Sequence, residues 1–321
     1  MDDRQRPVIS IRGMSKSFGA VAALKPLNLD VHQNSIYGFL GPNGAGKTTT
    51  IKLLLGLMRL SAGSATVFGM DCASRSVDIR ARIGYLPQEP HFYEHMTARQ
   101  TLRLVARFFF KGPQKAIEER VAEMIELVDL GGKADRPIKT FSAGERQRLG
   151  IAQAQINYPD LLILDEPAAS LDPIGRRDVL EVMSKLRKYT TVFYSTHILD
   201  DVQRVSDTVA ILNKGELVAE GPIEELLTGS EGLTYLIHLK GDAESAIKLV
   251  KSQPWVSGVK TGVHGDETTL QVGVTDSQAA EAQLLKLLVN SPVVVTEFRL
   301  RQYELEDIFM QVVDGGLNAR K

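Results

Sequence analysis

The chain has 321 residues, enough for two domains, with 43% hydrophobic and 24% charged residues, proportions ordinary for a protein that buries a core. Its 38 basic and 39 acidic residues leave a formal charge of −1, which argues against a general nucleic-acid footprint. A single cysteine, Cys72, rules out an intrachain disulfide and suits a reducing compartment; the N-terminus (MDDRQRPVIS) carries no apolar signal core, and no run of 18 apolar residues is there to span a bilayer.

In chain order, short β-branched runs alternate with helical patterns. Residues 8–12 (VISIR) and 35–41 (SIYGFLG) read as strands. The second runs into GPNGAGKTT at 41–49, which matches G-x-x-x-x-G-K-[ST] through Gly41, Gly46, Lys47 and Thr48. A strand before it and a helix after it are the context the motif needs. Glycines let the loop bend so that successive N–H groups and the helix N-terminus face phosphates. The whole loop is the expected nucleotide cradle: Gly41, Pro42, Asn43, Gly44, Ala45, Gly46, Lys47, Thr48 and Thr49. Lys47 would reach the β- and γ-phosphates, and the Thr48 hydroxyl would ligate Mg2+.

Strands follow at 65–69 and 82–86. HFYEH at 91–95 fits the H-x-x-E-H zinc signature, but Pro87 and Pro90 lie just upstream and TARQ at 97–100 reads as the capping box of a helix that begins later. His91 and His95 are therefore expected in a loop, not on one helical face. That helix carries Arg99, Arg103 and Arg107 at four-residue spacing, a stripe read first as a solvated face and second as a membrane-facing one. Another helix spans 114–129, and FSAGERQRLG at 141–150 puts a serine and small residues at the start of a third.

LLILD at 161–165 is a buried strand that ends with Asp165 and Glu166 side by side. Successive strand residues point to opposite sides, so one carboxylate can serve Mg2+ while the other orients and deprotonates water. Pro173 opens a further helix, 190–195 is a strand, and ILNKGELVAEG forms a hairpin with Gly215 in its turn. LNKGE resembles a guanine-recognition N-K-x-D, but position 216 is glutamate and the fragment lies in a turn, which argues against a GTPase. A short helix ends at 227–232, with a domain boundary expected near Gly229.

Beyond it the pattern changes to strand 234–239, helix 242–252, strands 256–261 and 267–274, helix 276–290, strand 293–301 and helix 303–313. The first six elements spell β-α-β-β-α-β, a ferredoxin-like unit. Trp255 reads there as core or edge packing.

Taken together, the phosphate loop, LLILDEP and FSAGERQRLG resemble the ATP-binding cassette (ABC) ATPases over residues 8 to about 226. FSAGERQRLG stands where that family carries its L-S-G-G-Q signature. Within the resemblance Gln88 looks like the glutamine loop, Asp172 in AASLDP like the loop after the second carboxylate, and His197 like the switch histidine. Phe18 in KSFG stands where the family carries an adenine-stacking aromatic.

The fold implied is a P-loop NTPase cassette over 1–229, a mixed sheet with a helical signature subdomain, followed by a small α+β ferredoxin-like domain over 230–321. The resemblance implies ATP hydrolysis at two composite sites of a dimer. Thr48, Asp165 and Gln88 would serve Mg2+, Glu166 would be the general base, His197 would contact the γ-phosphate, and Gln88 would act as a sensor. Ser142, Ala143, Gly144 and Glu145 would close over ATP held by a second copy or a related cassette. Phe141, Ala143 and Glu145 depart from the family pattern, and Glu145 puts an acid near a triphosphate unless Arg146 or Arg148 offsets it. The implied partner is an integral-membrane permease docking near 89–100, with the chain at the cytoplasmic face of a bacterial membrane and export the implied direction. A soluble cassette acting on ribosomes or DNA is the alternative. It is disfavoured by the single phosphate loop and by the short spacing from Lys47 to Ser142, which shows no sustained heptads.

Overall fold

Among the described residues, seventeen strands and α-helices precede the boundary region. They are β1 (Ile9–Phe18), β2 (Val21–Val31), β3 (Ile36–Leu40), α1 (Lys47–Leu54), β4 (Ala62–Val67), β5 (Met70–Asp71), α2 (Ser76–Arg82), β6 (Ile83–Leu86), α3 (Ala98–Phe109), α4 (Gln114–Leu127), α5 (Ala143–Gln155), β7 (Leu161–Asp165), α6 (Pro173–Leu186), β8 (Thr191–Thr196), α7 (Leu199–Val205), β9 (Thr208–Asn213) and β10 (Glu216–Pro222). This computed structural model describes residues 7–228, 233–265 and 267–301. The chain divides into two units, the first running to Ile223 and the second beginning at Glu224.

The first unit holds two sheets. One is antiparallel, in the order β2-β1-β4-β5. The other runs β10-β9-β3-β8-β7-β6, with every neighbouring pair parallel except the β9–β10 hairpin. Strands β3, β7 and β8 are buried along their whole length, as strands covered on both faces should be. Tyr37 and Phe39 from β3 meet Phe193 from β8 with ring centroids 5.7 and 5.4 Å apart, which joins the middle of the sheet. The C-terminal ends of β3, β7 and β8 open on the same edge, where α/β sheets bind ligands. The hairpin turn puts Lys214 at φ 47° and Gly215 at φ 76°, the two positive values that a two-residue turn of the right twist requires.

The residue pattern announces neither the two-residue β5 nor the long β2. Pro26 interrupts it, and the β1–β2 register shifts between Met14↔Leu27 and Lys16↔Leu24, where a ladder hydrogen bond is dispensable. Helices α3, α4 and α5 lie between β6 and β7 in sequence. Thr97 caps α3 by the expected box: its side chain accepts from the Gln100 amide, and the Gln100 side chain accepts from the Thr97 amide. His91 and His95 lie in the irregular stretch before that helix. Two arginines of the stripe are paired, Arg99 with Asp135 and Arg103 with Glu118.

α8 (Ile223–Thr228) precedes β11 (Leu233–Gly241), α9 (Ala243–Lys251), β12 (Val256–His264), β13 (Glu267–Val274), α10 (Ser277–Val289) and β14 (Val293–Arg301). The sheet order β12-β13-β11-β14, antiparallel throughout, is the ferredoxin-like arrangement. Alternate residues of β11 and β13 (Ile237, Leu239, Leu270 and Val272) form one core with Val250 of α9 and Leu284 and Leu288 of α10. Trp255, 6% exposed, belongs to that core. The expected helix at 303–313 and the boundary residue Gly229 lie outside the described residues.

Candidate nucleotide-binding and hydrolysis site

The phosphate loop leaves β3 at Gly41, whose N–H donates to the Thr196 carbonyl at 3.1 Å. A Cβ at Gly41 would stand 2.3 Å from the Leu212 carbonyl oxygen, so no other residue fits there without moving β9. Gly44 and Gly46 take φ of 80° and 108°, and Gly46 caps α1. The Gly215 amide donates to the Ala45 carbonyl at 3.0 Å and ties the loop to the β9–β10 hairpin. Pro42, Asn43 and Gly44 are exposed at its crest, and Thr49 is half-buried in the first turn of α1.

Lys47 bends back under this loop. Its Nζ donates to the carbonyls of Gly41 (2.6 Å) and Pro42 (3.2 Å) and pairs with Glu166 Oε1 at 3.0 Å. Both side chains of the pair are more than nine-tenths buried. On Coulombic grounds such a pair is strong, and removing one partner would leave a buried charge at a cost of about 3–5 kcal/mol. The other Glu166 oxygen, Oε2, lies 2.9 Å from His197 Nδ1.

Asp165 faces the opposite way. Its Oδ1 accepts from Thr48 Oγ1 at 3.2 Å and from Ser195 Oγ at 2.6 Å. The two adjacent carboxylates thus serve different partners, one a pair of hydroxyls and the other a lysine and a histidine. Glu166 reaches its direction through a left-handed backbone, φ 50°.

Thr48 and Asp165 offer only oxygen donors, and no group of three or more His, Cys, Asp or Glu that could hold a metal occurs among the described residues. That donor set fits Mg2+, which is commonly held by one or two carboxylates plus substrate phosphates. Gln88 is exposed, and its side chain has no hydrogen-bond partner among the described residues. Its carbonyl accepts from Gln147 Nε2 at 3.1 Å, which ties the turn after β6 to α5.

Ser142 caps α5 in a full capping box with Glu145. Glu145 Oε2 accepts the Ser142 amide at 2.8 Å, while Oε1 pairs with Lys133. Arg146 turns away to Glu94, with contacts of 2.6 and 2.7 Å, and Arg148 lies 3.5 Å from Asp178 and 3.8 Å from Asp129. The direct partner of Glu145 is therefore Lys133, with Arg148 adding a more distant charge and Arg146 committed to Glu94. Burial raises the Glu145 pKa, but the Lys133 and Ser142 hydrogen bonds and the charges of Lys133 and Arg148 outweigh it, leaving the carboxyl below its ordinary value. Phe141 is 7% exposed, a packing residue, while Ser142 and Ala143 are exposed.

Gly144 meets Gly175 of α6, where a Cβ on Gly144 would stand 3.2 Å from the Gly175 Cα. Asp172 caps that helix by accepting the Gly175 amide at 2.7 Å. Among the described residues no hydrogen bond or ion pair joins 142–145 to 41–49. Phe18, at the end of β1, is half exposed, with Lys16 Nζ 5.0 Å from its ring centroid. The structure thus gathers Lys47, Thr48, Asp165, Glu166 and His197 directly and holds Ser142–Glu145 in a separate helix start.

Two residues of this neighbourhood escaped the sequence reading. Lys133 carries no motif. Ser195 sits in an apolar strand opposite Asp165 in the β7–β8 register, and a hydroxyl two residues before His197 was the available signal.

Residues 24–169 match the ABC transporter family model. The chain is 35% identical to YxlF, an uncharacterized ABC transporter ATP-binding protein of Bacillus subtilis, over 95% of this chain and 99% of that protein. It is 34% identical to BcrA, a bacitracin transport ATP-binding protein of Bacillus licheniformis, over 96% and 98%. In fold it resembles the dimeric post-hydrolysis structure of the ATP-binding cassette MJ0796 bound to ADP and Pi. That likeness has a TM-score of 0.60 at 22% identity and covers 67% of this chain and 98% of the other.

Proposed function

This chain belongs to the ABC transporter family of ATP-binding proteins, and from that premise we propose that it powers export, hydrolysing ATP at two composite sites of a dimer to drive a separate permease. The observation that carries the reading is the convergence of Lys47, Glu166 and His197 beside Thr48 and Asp165 at the open edge of the parallel strands. Lys47 and the loop amides would hold the triphosphate. Glu166, poised between Lys47 and His197, would take a proton from the attacking water, and His197 would contact the γ-phosphate. Mg2+ held by Thr48 and Asp165, with Gln88 nearby, would neutralise charge on the phosphates. Phe18, half exposed, is available to stack on adenine.

The signature residues would act on the partner copy's nucleotide. Ser142 Oγ and the Ala143 and Gly144 amides at the start of α5 would supply the donors. The dimeric cassette that this fold resembles supports the pairing. The bacitracin transport relative supports a role in transport, and the parting of the two units between Ile223 and Glu224 supports a cassette over 1–229 with an accessory domain over 230–321.

No helix among the described residues is long and apolar enough to cross a membrane. We assign the permease contact to the surface around 89–100, where Tyr93 is 63% exposed, which puts the chain at the cytoplasmic face of a bacterial membrane. The test is to tag the chain in its native cell, solubilise membranes in mild detergent and identify what co-purifies. A stoichiometric polytopic membrane protein, released by substitutions in 89–100, is the expected outcome. A soluble dimer carrying ribosomes or DNA instead would overturn the transport reading.

A further inference from the structure

Ser195 is a hydroxyl in a place where the strand needs none. It is fully buried in β8, directly opposite Asp165, and its neighbours Val192, Phe193 and Tyr194 are as deeply buried. A buried hydroxyl must find partners, and this one has found two that matter. Its Oγ donates to Asp165 Oδ1 at 2.6 Å and accepts the Glu166 N–H at 3.0 Å. An amide can only donate, so the hydroxyl proton is committed to the carboxylate and both directions are fixed. The Ser195 carbonyl shares the same N–H at 3.2 Å.

That amide belongs to a residue at φ 50°, a region that L side chains avoid unless the surroundings hold them there. Ser195 is thus fastened to both acids at once. Through Asp165 it fixes the oxygen that also meets Thr48, and through the backbone it pins the turn that aims Glu166 at Lys47 and His197.

We infer that Ser195 is a positioning residue for hydrolysis, setting the Asp165 carboxylate for the divalent cation and the Glu166 carboxylate for water. The inference rests on the proposed roles of Thr48, Asp165 and Glu166. Removing the hydroxyl leaves Asp165 Oδ1 with the 3.2 Å Thr48 contact as its hydrogen bond and Glu166 N–H with the carbonyl alone. Partners of this kind behind metal-holding carboxylates typically carry about 10- to 100-fold in metal affinity or activity.

The experiment compares Ser195→Ala and Ser195→Thr with the unaltered full chain. Mn2+ affinity is measured by electron paramagnetic resonance in the presence of a non-hydrolysable ATP analogue. Affinity for the same analogue in EDTA, melting temperature and kcat complete the set. The expected result for Ser195→Ala is a native-like melt, analogue affinity in EDTA within about twofold, and Mn2+ affinity and kcat each lower by roughly tenfold or more. Ser195→Thr, which keeps the hydroxyl, should recover most of both losses. If its added methyl prevents folding, the Ala variant decides alone.

A folded Ser195→Ala with Mn2+ affinity and kcat both within about twofold of the parent overturns the inference. So does a fall in kcat with Mn2+ affinity unchanged, because the hold on Asp165 is then absent. Asp165→Asn is run alongside. If it too leaves Mn2+ affinity untouched, the metal role of Asp165 has failed; if it loses Mn2+ while Ser195→Ala keeps it, only the role of Ser195 has.

Discussion

Glu145 puts a negative charge on the helix turn that would close over a partner's triphosphate, and both of its oxygens are occupied, one by Lys133 and one by the Ser142 amide. Because its folded pKa is depressed, the stabilisation is present above the ordinary carboxylate value and fades as pH falls through the lower folded one. Glu145→Gln keeps the capping box, since glutamine serves equally at that position, and loses only the ion pair. Its melting temperature should sit slightly below the parent's at pH 7, with the gap closing below the carboxylate range. Lys133→Ala should cost more at pH 7, about 1 kcal/mol, because it strands a buried carboxylate; partial exposure of the lysine keeps the figure small. Thermal melts at several pH values check both, and a gap that widens in acid would contradict the assignment. At this scale the motif residues were legible because their chemistry is tied to spacing. Lys133 and Ser195 were not, because each gains its meaning from a neighbour that only the fold supplies.

Among elements, α5 bears most on function, since its first turn presents Ser142 and its body rests on β6. The rest is close: a Cβ on Gly84 of β6 would lie 2.1 Å from the Ala154 carbonyl oxygen, and one on Gly150 of α5 would lie 2.4 Å from the Leu86 side chain. Gly84→Ala should therefore push the helix away, destabilising by roughly 1–3 kcal/mol, and should lower ATPase activity as the signature end shifts. Denaturant melts and turnover on the same sample test this, and an unchanged protein would show that the helix can move freely. Most elements were readable from periodicity and punctuation, including all six in the order of the ferredoxin-like unit. The exceptions have physical causes. β2 hides behind Pro26 and an irregular register, β5 is only two residues long, and α2 and α7 are seven-residue helices too short to display a period.

For the whole molecule, the family was legible because six motif stretches stand in a fixed order along the chain, whereas the contacts between one cassette and another lie outside a single copy. Glu166→Gln makes that pairing visible. The substitution should keep ATP binding, abolish turnover and hold two copies together in MgATP, as seen by ATPase assay and gel filtration. Full activity would remove Glu166 from its role. Residues 142–145 are proposed to serve the phosphate loop of another copy. On that proposal each copy lends half of its neighbour's site, so an inactive chain would not fail privately. In a cell making equal amounts of normal and Glu166→Gln chains, random twofold pairing would put about three-quarters of all dimers in the company of a defective copy. The altered gene should behave as dominant, its effect reaching well beyond its own share of the protein.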